Sequence, residues 1–247
     1  MDYLYDHSFD GFLTAVAIHF QEKRASGVFP ETHYQYRLGE EVRNIETDPI
    51  RAATFYHELE ERFSSDVAHK CGRVFLSNHP NKENLLLIYL NFGFKKGRGF
   101  DAIFTHPDVE PVQTIATAVE WEAARFLGLI RFQEIKGILY ASFSPDNAIL
   151  GLMADHFLDR LHGEAWIIHD TKRNLAILCN GVKWRMVPFK RDFALTLPRE
   201  ELAVQQLWRG YFTHIAIPER KNPRLQAQYM PRRYWKDLVE VTSPQFP

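Results

Sequence analysis

The chain is poor in cysteine, has no sustained apolar run and carries almost no net charge. Cys71 and Cys179 are the two cysteines among 247 residues. They stand far apart and outside any C-x-x-C spacing, which argues against a disulfide framework, a cysteine zinc site and an iron–sulfur cluster held by this chain alone. The longest apolar run, around residues 85–90, falls well short of the ~20 residues of a membrane helix. The opening Met1-Asp2-Tyr3-Leu4-Tyr5-Asp6 has acids where a signal peptide carries positive charge, so the expectation is a cytoplasmic protein with no membrane role. Basic residues number 30 against 31 acidic, a formal charge of −1. That balance excludes a strongly basic DNA packager and means that any nucleic-acid contact must come from local charge. Low-complexity stretches, Gly/Ser linkers and internal repeats are missing. So are G-x-S-x-G, G-x-G-x-x-G and G-x-x-x-x-G-K-[ST], and the expectation is a chain with no cofactor and no metal.

What is present is the composition of an ordinary globular protein, 45% hydrophobic and 25% charged. A short apolar strand at residues 3–5 leads to a helix with Phe9, Phe12, Leu13, Val16 and Phe20 on one stripe, capped by Asp6 or Ser8. Residues 32–46 read as extended or loop. Asp48-Pro49 opens a second helix bearing Ala52, Phe55, Leu59 and Phe63. A further apolar helix begins near Glu83 and is broken by Gly93, Gly97 and Gly99, and residues 108–124 read helical again. The period then changes. Residues 126–132 and 138–143 are β-like, Ser144-Pro145-Asp146 opens a helix with Ile149, Met153, Phe157 and Leu161 on one face, and residues 166–169, 175–179 and 182–187 are three more strands. Asn180-Gly181 marks a hairpin. The order β-β-α-β-β-β predicts an α+β fold with a central antiparallel sheet, packed with N- and C-terminal helices. One compact unit over 1–247 is expected: 1–124 mainly helical, 125–190 the sheet plus helix, and 191–247 helical with a basic end. Leu202, Val204, Leu207, Trp208, Tyr211 and Ile215 form a wide apolar helix face in the last part.

The strongest local bias lies in residues 219–236, where Arg220, Lys221, Arg224, Arg232, Arg233 and Lys236 stand against Glu219 alone, with Tyr229, Tyr234 and Trp235 among them. Arginine forks fit phosphates and aromatic faces stack on unpaired bases, so this segment is a candidate nucleic-acid contact. The alternative is aromatics packed on the body with solvated arginines. Lys95, Lys96 and Arg98 form a second basic loop flanked by glycines; a plain inter-helix turn is the other reading. His169-Asp170 at a strand end could do general acid–base work, although neighbours on a strand point to opposite faces and Asp170 could simply start a turn. His156 with Asp155 and Asp159 on the middle helix is too thin a cluster for a metal. Arg131, read as mid-strand, calls for either a carboxylate such as Glu122 or a ligand phosphate.

Several blocks carry a resemblance. They are Tyr3-Leu4-Tyr5-Asp6-His7-Ser8-Phe9-Asp10-Gly11-Phe12, Arg125-Phe126-Leu127-Gly128-Leu129-Ile130-Arg131-Phe132, Ile168-His169-Asp170-Thr171-Lys172-Arg173, Leu207-Trp208-Arg209-Gly210-Tyr211-Phe212 and Met230-Pro231-Arg232-Arg233-Tyr234-Trp235-Lys236. In order and over nearly the whole chain, they resemble the bacterial "probable DNA metabolism protein" family. Members are encoded beside a radical-SAM protein assigned to DNA modification or repair, and a related domain is fused to uracil-DNA-glycosylase-like proteins. The resemblance implies an accessory protein that binds DNA, the radical-SAM partner, or both, without catalysis of its own; it carries over no catalytic residue. Family openings often read Asp-Gly-Ser-Phe-Asp-Gly where this chain has Asp6-His7-Ser8-Phe9-Asp10-Gly11, and losing that glycine argues against a positive φ in the turn. The alternatives are a hydrolase or nuclease using His169, Asp170 and Asp146 or His156, and a structural adaptor with no nucleic-acid contact.

Overall fold

The computed structural model describes residues 1–36, 39–190 and 197–241. Its internal contacts divide the chain into two compact units, Met1–Glu120 and Trp121–Pro247. No Pro/Gly-rich linker marks the division, because it falls inside one continuous helix, Glu110–Leu129.

The first unit opens with β1 (Asp2–Tyr5), α1 (Phe9–Gln21), β2 (Gly27–Pro30) and β3 (Val42–Asn44). The three strands form a parallel sheet in the order β2-β1-β3. β3 lies in the stretch expected to be extended or loop, and β2, just before that stretch, was not expected as a strand. Strands of three or four residues are too short to show an alternating pattern, and their partners are distant in sequence. The helices α2 (Pro49–Arg62), α3 (Ser65–Phe75) and α4 (Lys82–Lys96) follow. Asp48 caps α2 as expected, accepting the N–H groups of Ile50 and Arg51. α4 runs through Gly93 instead of breaking there. The Phe100 ring lies over that glycine so closely that a Cβ would stand 2.7 Å from it, so Gly93 serves packing and not helix termination. The core of this unit is aromatic: Tyr5, Phe12, Phe55, Phe63, Tyr89 and Phe100 are all buried.

His7 sits at φ +69. The turn between β1 and α1 does need the left-handed conformation, contrary to the inference from the missing glycine. Ser8 caps α1 by accepting the N–H of Gly11, and Asp6 in turn holds the Ser8 N–H and hydroxyl; together these bonds fix His7 where a side chain is strained. His7→Gly is therefore expected to raise stability by about 1 kcal/mol, because relief of left-handed strain (~1–2 kcal/mol) exceeds the extra chain entropy of glycine (~0.5–1 kcal/mol). A thermal melt that does not shift upward would contradict this.

The helix α5 (Glu110–Leu129) leads to β4 (Gln133–Ile135), β5 (Ile138–Phe143), α6 (Leu150–Arg160), β6 (Ala165–Asp170), β7 (Leu175–Asn180) and β8 (Trp184–Pro188). Residues 126–132, expected as a strand, instead finish α5 and the turn after it. Val119, Ala123, Phe126 and Ile130 are buried at helical spacing; a short apolar run does not distinguish the two periods by itself. The five strands form one mixed sheet in the order β4-β5-β6-β7-β8. All neighbours are antiparallel except β5 and β6, which are parallel. The parallel pair corrects the all-antiparallel expectation and has a simple cause: α6 is a crossover that returns the chain to the end from which β5 started. α6 packs on β7 and β8, with Met153 and Phe157 buried. Gly181 follows β7 at φ +88, in the left-handed region open to glycine.

The remaining elements are α7 (Arg199–His214), a 3₁₀ turn (Pro218–Arg220), α8 (Pro223–Tyr229) and a 3₁₀ turn (Arg232–Asp237). The sequence places an apolar face on α7, and the structure leaves it exposed: Leu207 is 74% accessible, and Leu202, Val204, Tyr211 and Ile215 are also exposed. The buried residues of α7 are polar. Glu201 accepts the Glu134 N–H of β4 at 2.9 Å and the Gln205 amide at 2.8 Å. The helix thus meets an edge strand, whose free backbone N–H recruits a carboxylate instead of a leucine.

Candidate nucleic-acid interface

The C-terminal basic segment is fixed to the second unit by one buried carboxylate. Glu122 on α5 is 4% accessible. It accepts the backbone N–H groups of Asp146 (2.7 Å) and Asn147 (2.8 Å), the Asn147 side-chain amide (2.6 Å) and the Tyr234 hydroxyl (2.5 Å). Burial and then the hydrogen bond to Glu122 push the Tyr234 phenol well above its ordinary pKa, so it stays a donor. The Tyr234 ring packs on Phe126 with centroids 4.6 Å apart. Arg233 completes the clasp: its Nε lies 2.7 Å from Asp146 Oδ2, and its guanidinium lies over the Tyr234 ring. The Ser144-Pro145-Asp146 turn is held from the other side by Arg173, which donates to the Pro145 and Asp146 carbonyls and to Asp170.

Arg131 lies in the turn after α5, not within a strand. It pairs with buried Glu240 at 2.6 Å and not with Glu122, and it also donates to the Gly128 and Ile130 carbonyls at the helix end. Burial opposes ionisation of Glu240, but the hydrogen bond and charge of Arg131, together with hydrogen bonds from the backbone and Trp208, outweigh it and hold the carboxyl below its ordinary pKa. The sequence held a signal for these pairs, charged residues inside apolar surroundings, but no way to match partners more than a hundred residues apart.

His169 is buried with Nδ1 2.9 Å from the Tyr140 hydroxyl. Asp170 is fully buried and accepts the N–H groups of Lys172 and Arg173, as the first residue of a turn does. His156 is exposed on α6, and its neighbour Asp155 accepts the Trp184 indole N–H. Among the described residues, no group of His, Cys, Asp and Glu is arranged to hold a metal ion, and no helix is long and apolar enough to cross a membrane.

The basic residues divide into two sets. Arg233 is engaged with Asp146. Arg232 lies over the Trp235 ring at 5.5 Å, and Trp235 gives its indole N–H to the Met230 carbonyl at 2.8 Å. Arg220, Lys221, Arg224 and Lys236 are exposed, and among the described residues none has a carboxylate within ion-pair distance. Asn222 caps α8 by accepting the Leu225 N–H, with Pro223 at the first helical position. Arg220 and Lys221 line a groove of ≈ 680 Å³ whose walls include Phe212, Ile217, Leu225 and Tyr229, and Arg224 lies on α8 beside it. Lys95 and Lys96 are exposed at the end of α4, and Arg98 donates Nε to the Phe63 carbonyl at 3.3 Å; these three belong to the first unit.

The family model described as "Domain of unknown function (DUF4130)" matches residues 80–240, a span that includes Glu122, Asp146, Arg173 and Tyr234. No curated protein matches the chain.

Proposed function

The chain belongs to the DUF4130 family, a domain of unknown function, and from the chemistry of its C-terminal surface we propose that it is an accessory protein of DNA repair or modification that binds nucleic acid. The observation that carries this reading is the set of exposed cations Arg220, Lys221, Arg224 and Lys236, none of which has a carboxylate within ion-pair distance among the described residues, in a chain of formal charge −1. Cations held away from carboxylates keep their full attraction for phosphate, and the Glu122–Tyr234 clasp anchors the segment that presents them. Burial of His169 and Asp170, each already hydrogen-bonded, makes the binding reading better supported than a hydrolase or nuclease using that pair. The radical-SAM partner expected from the resemblance is part of this proposal. The exposed apolar face of α7 suits contact with a partner protein, since contiguous apolar patches mark interaction sites.

The test is a salt titration. Each phosphate contact on duplex DNA contributes about −0.9 to the slope of log affinity against log salt. Replacing Arg220, Lys221 and Arg224 together by alanine should weaken binding and flatten the slope by roughly two to three units. These side chains are exposed, so the melting temperature should hold. A folded triple variant with wild-type affinity and slope would overturn the proposal.

A further inference from the structure

Resting on that reading, we propose that the groove along the end of α7 and α8 receives unpaired bases, which makes single-stranded nucleic acid the preferred ligand. Phosphate binding alone needs only exposed cations. Here Arg220 and Lys221 line a concavity whose other walls include the apolar side chains of Phe212, Ile217, Leu225 and Tyr229. At ≈ 680 Å³ it lies within the ~300–1,000 Å³ of sites that enclose a small organic group. A duplex keeps its base faces stacked against one another and could offer this groove only phosphates. An unpaired strand offers a flat apolar face for the groove and a phosphate on either side for the rim, which is the complement of apolar walls edged by cations.

Two further details sharpen the assignment. Of the aromatic rings among the basic residues, Trp235 has its indole N–H engaged and Arg232 over its face. Tyr229 is 65% accessible and lines the groove itself, so the stacking role passes to Tyr229. Gln226 lines the same groove, and its side-chain amide supplies both a donor and an acceptor to a base edge.

The experiment measures binding of the full chain to a labelled 20-nucleotide single strand and to the same sequence as a duplex, at two salt concentrations. Wild type should prefer the single strand. Tyr229→Ala should weaken single-strand binding roughly 5- to 150-fold, the range of one lost base–aromatic stack, and leave duplex binding unchanged, while Tyr229→Phe retains the preference. Leu225→Glu, which puts a carboxylate in the groove, should act in the same direction. Equal wild-type affinity for the two forms overturns this inference, as does an equal loss on both in Tyr229→Ala, or no loss at all; the salt slope on duplex then still supports nucleic-acid binding. Binding of an acidic amphipathic peptide that displaces the single strand only weakly or not at all, yet is itself lost in Tyr229→Ala, also overturns it. Absence of binding to either oligonucleotide overturns both this inference and the proposed function.

Discussion

Glu122→Ala should destabilise the protein by about 3–5 kcal/mol, the range for removing one partner from a buried charged network. The side chain is buried and takes four hydrogen bonds, from Asp146, Asn147 (twice) and Tyr234. Truncation leaves two backbone N–H groups, an amide and a phenol without that acceptor, in a site that lets in little water. Glu122→Gln keeps the shape but turns one oxygen into a donor facing other donors, so it should cost a substantial part of the same energy. Tyr234→Phe removes only one of the four bonds and should cost about 1–2 kcal/mol. Urea unfolding of the three variants gives the ranking directly. A loss under about 1 kcal/mol for Glu122→Ala would show that the clasp is dispensable. Because the clasp holds the basic segment, Glu122→Ala measured well below its unfolding midpoint should also bind DNA more weakly, although Glu122 itself meets no ligand.

Phe157→Ala should cost a further, independent ~3–5 kcal/mol, as deletion of a buried aromatic does. Phe157 is 2% accessible and has the Phe132 ring at 5.4 Å and the Trp166 ring at 6.4 Å. It therefore joins the crossover helix α6 to the turn before β4 and to β6. The cavity cannot collapse easily, since the helix is fixed at both ends to parallel strands. Phe157→Leu should recover much of the loss. His156→Ala next to it on the exposed side should change stability by no more than about 0.5 kcal/mol, as surface substitutions usually do. Melting curves compare the three. If Phe157→Ala melted like His156→Ala, the packing of α6 on the sheet would be wrong.

Periodicity, caps and turn residues were enough to read much of this molecule. Asp48-Pro49 starts α2 and the apolar spacing of residues 149–161 builds α6, because in these places a local rule and the final packing agree. The basic character of residues 219–236 is likewise a property of composition, visible without coordinates. Other features depended on contacts that no local pattern encodes. Whether residues 126–132 extend a helix or start a strand was decided by which face could be buried. Gly93 breaks nothing because Phe100 covers it, and His7 is held at positive φ by the bonds of Asp6 and Ser8. The division into two units passes through the middle of α5, where the sequence shows no change of character. At the candidate site, the sequence determined that arginines and aromatics stand together near the C-terminus. Only the tertiary structure decided which of them are free, because Tyr234 and Arg233 are claimed by Glu122 and Asp146, residues about ninety to one hundred and ten positions earlier. Charge is written in the sequence, but its availability depends on where the opposite charges fold.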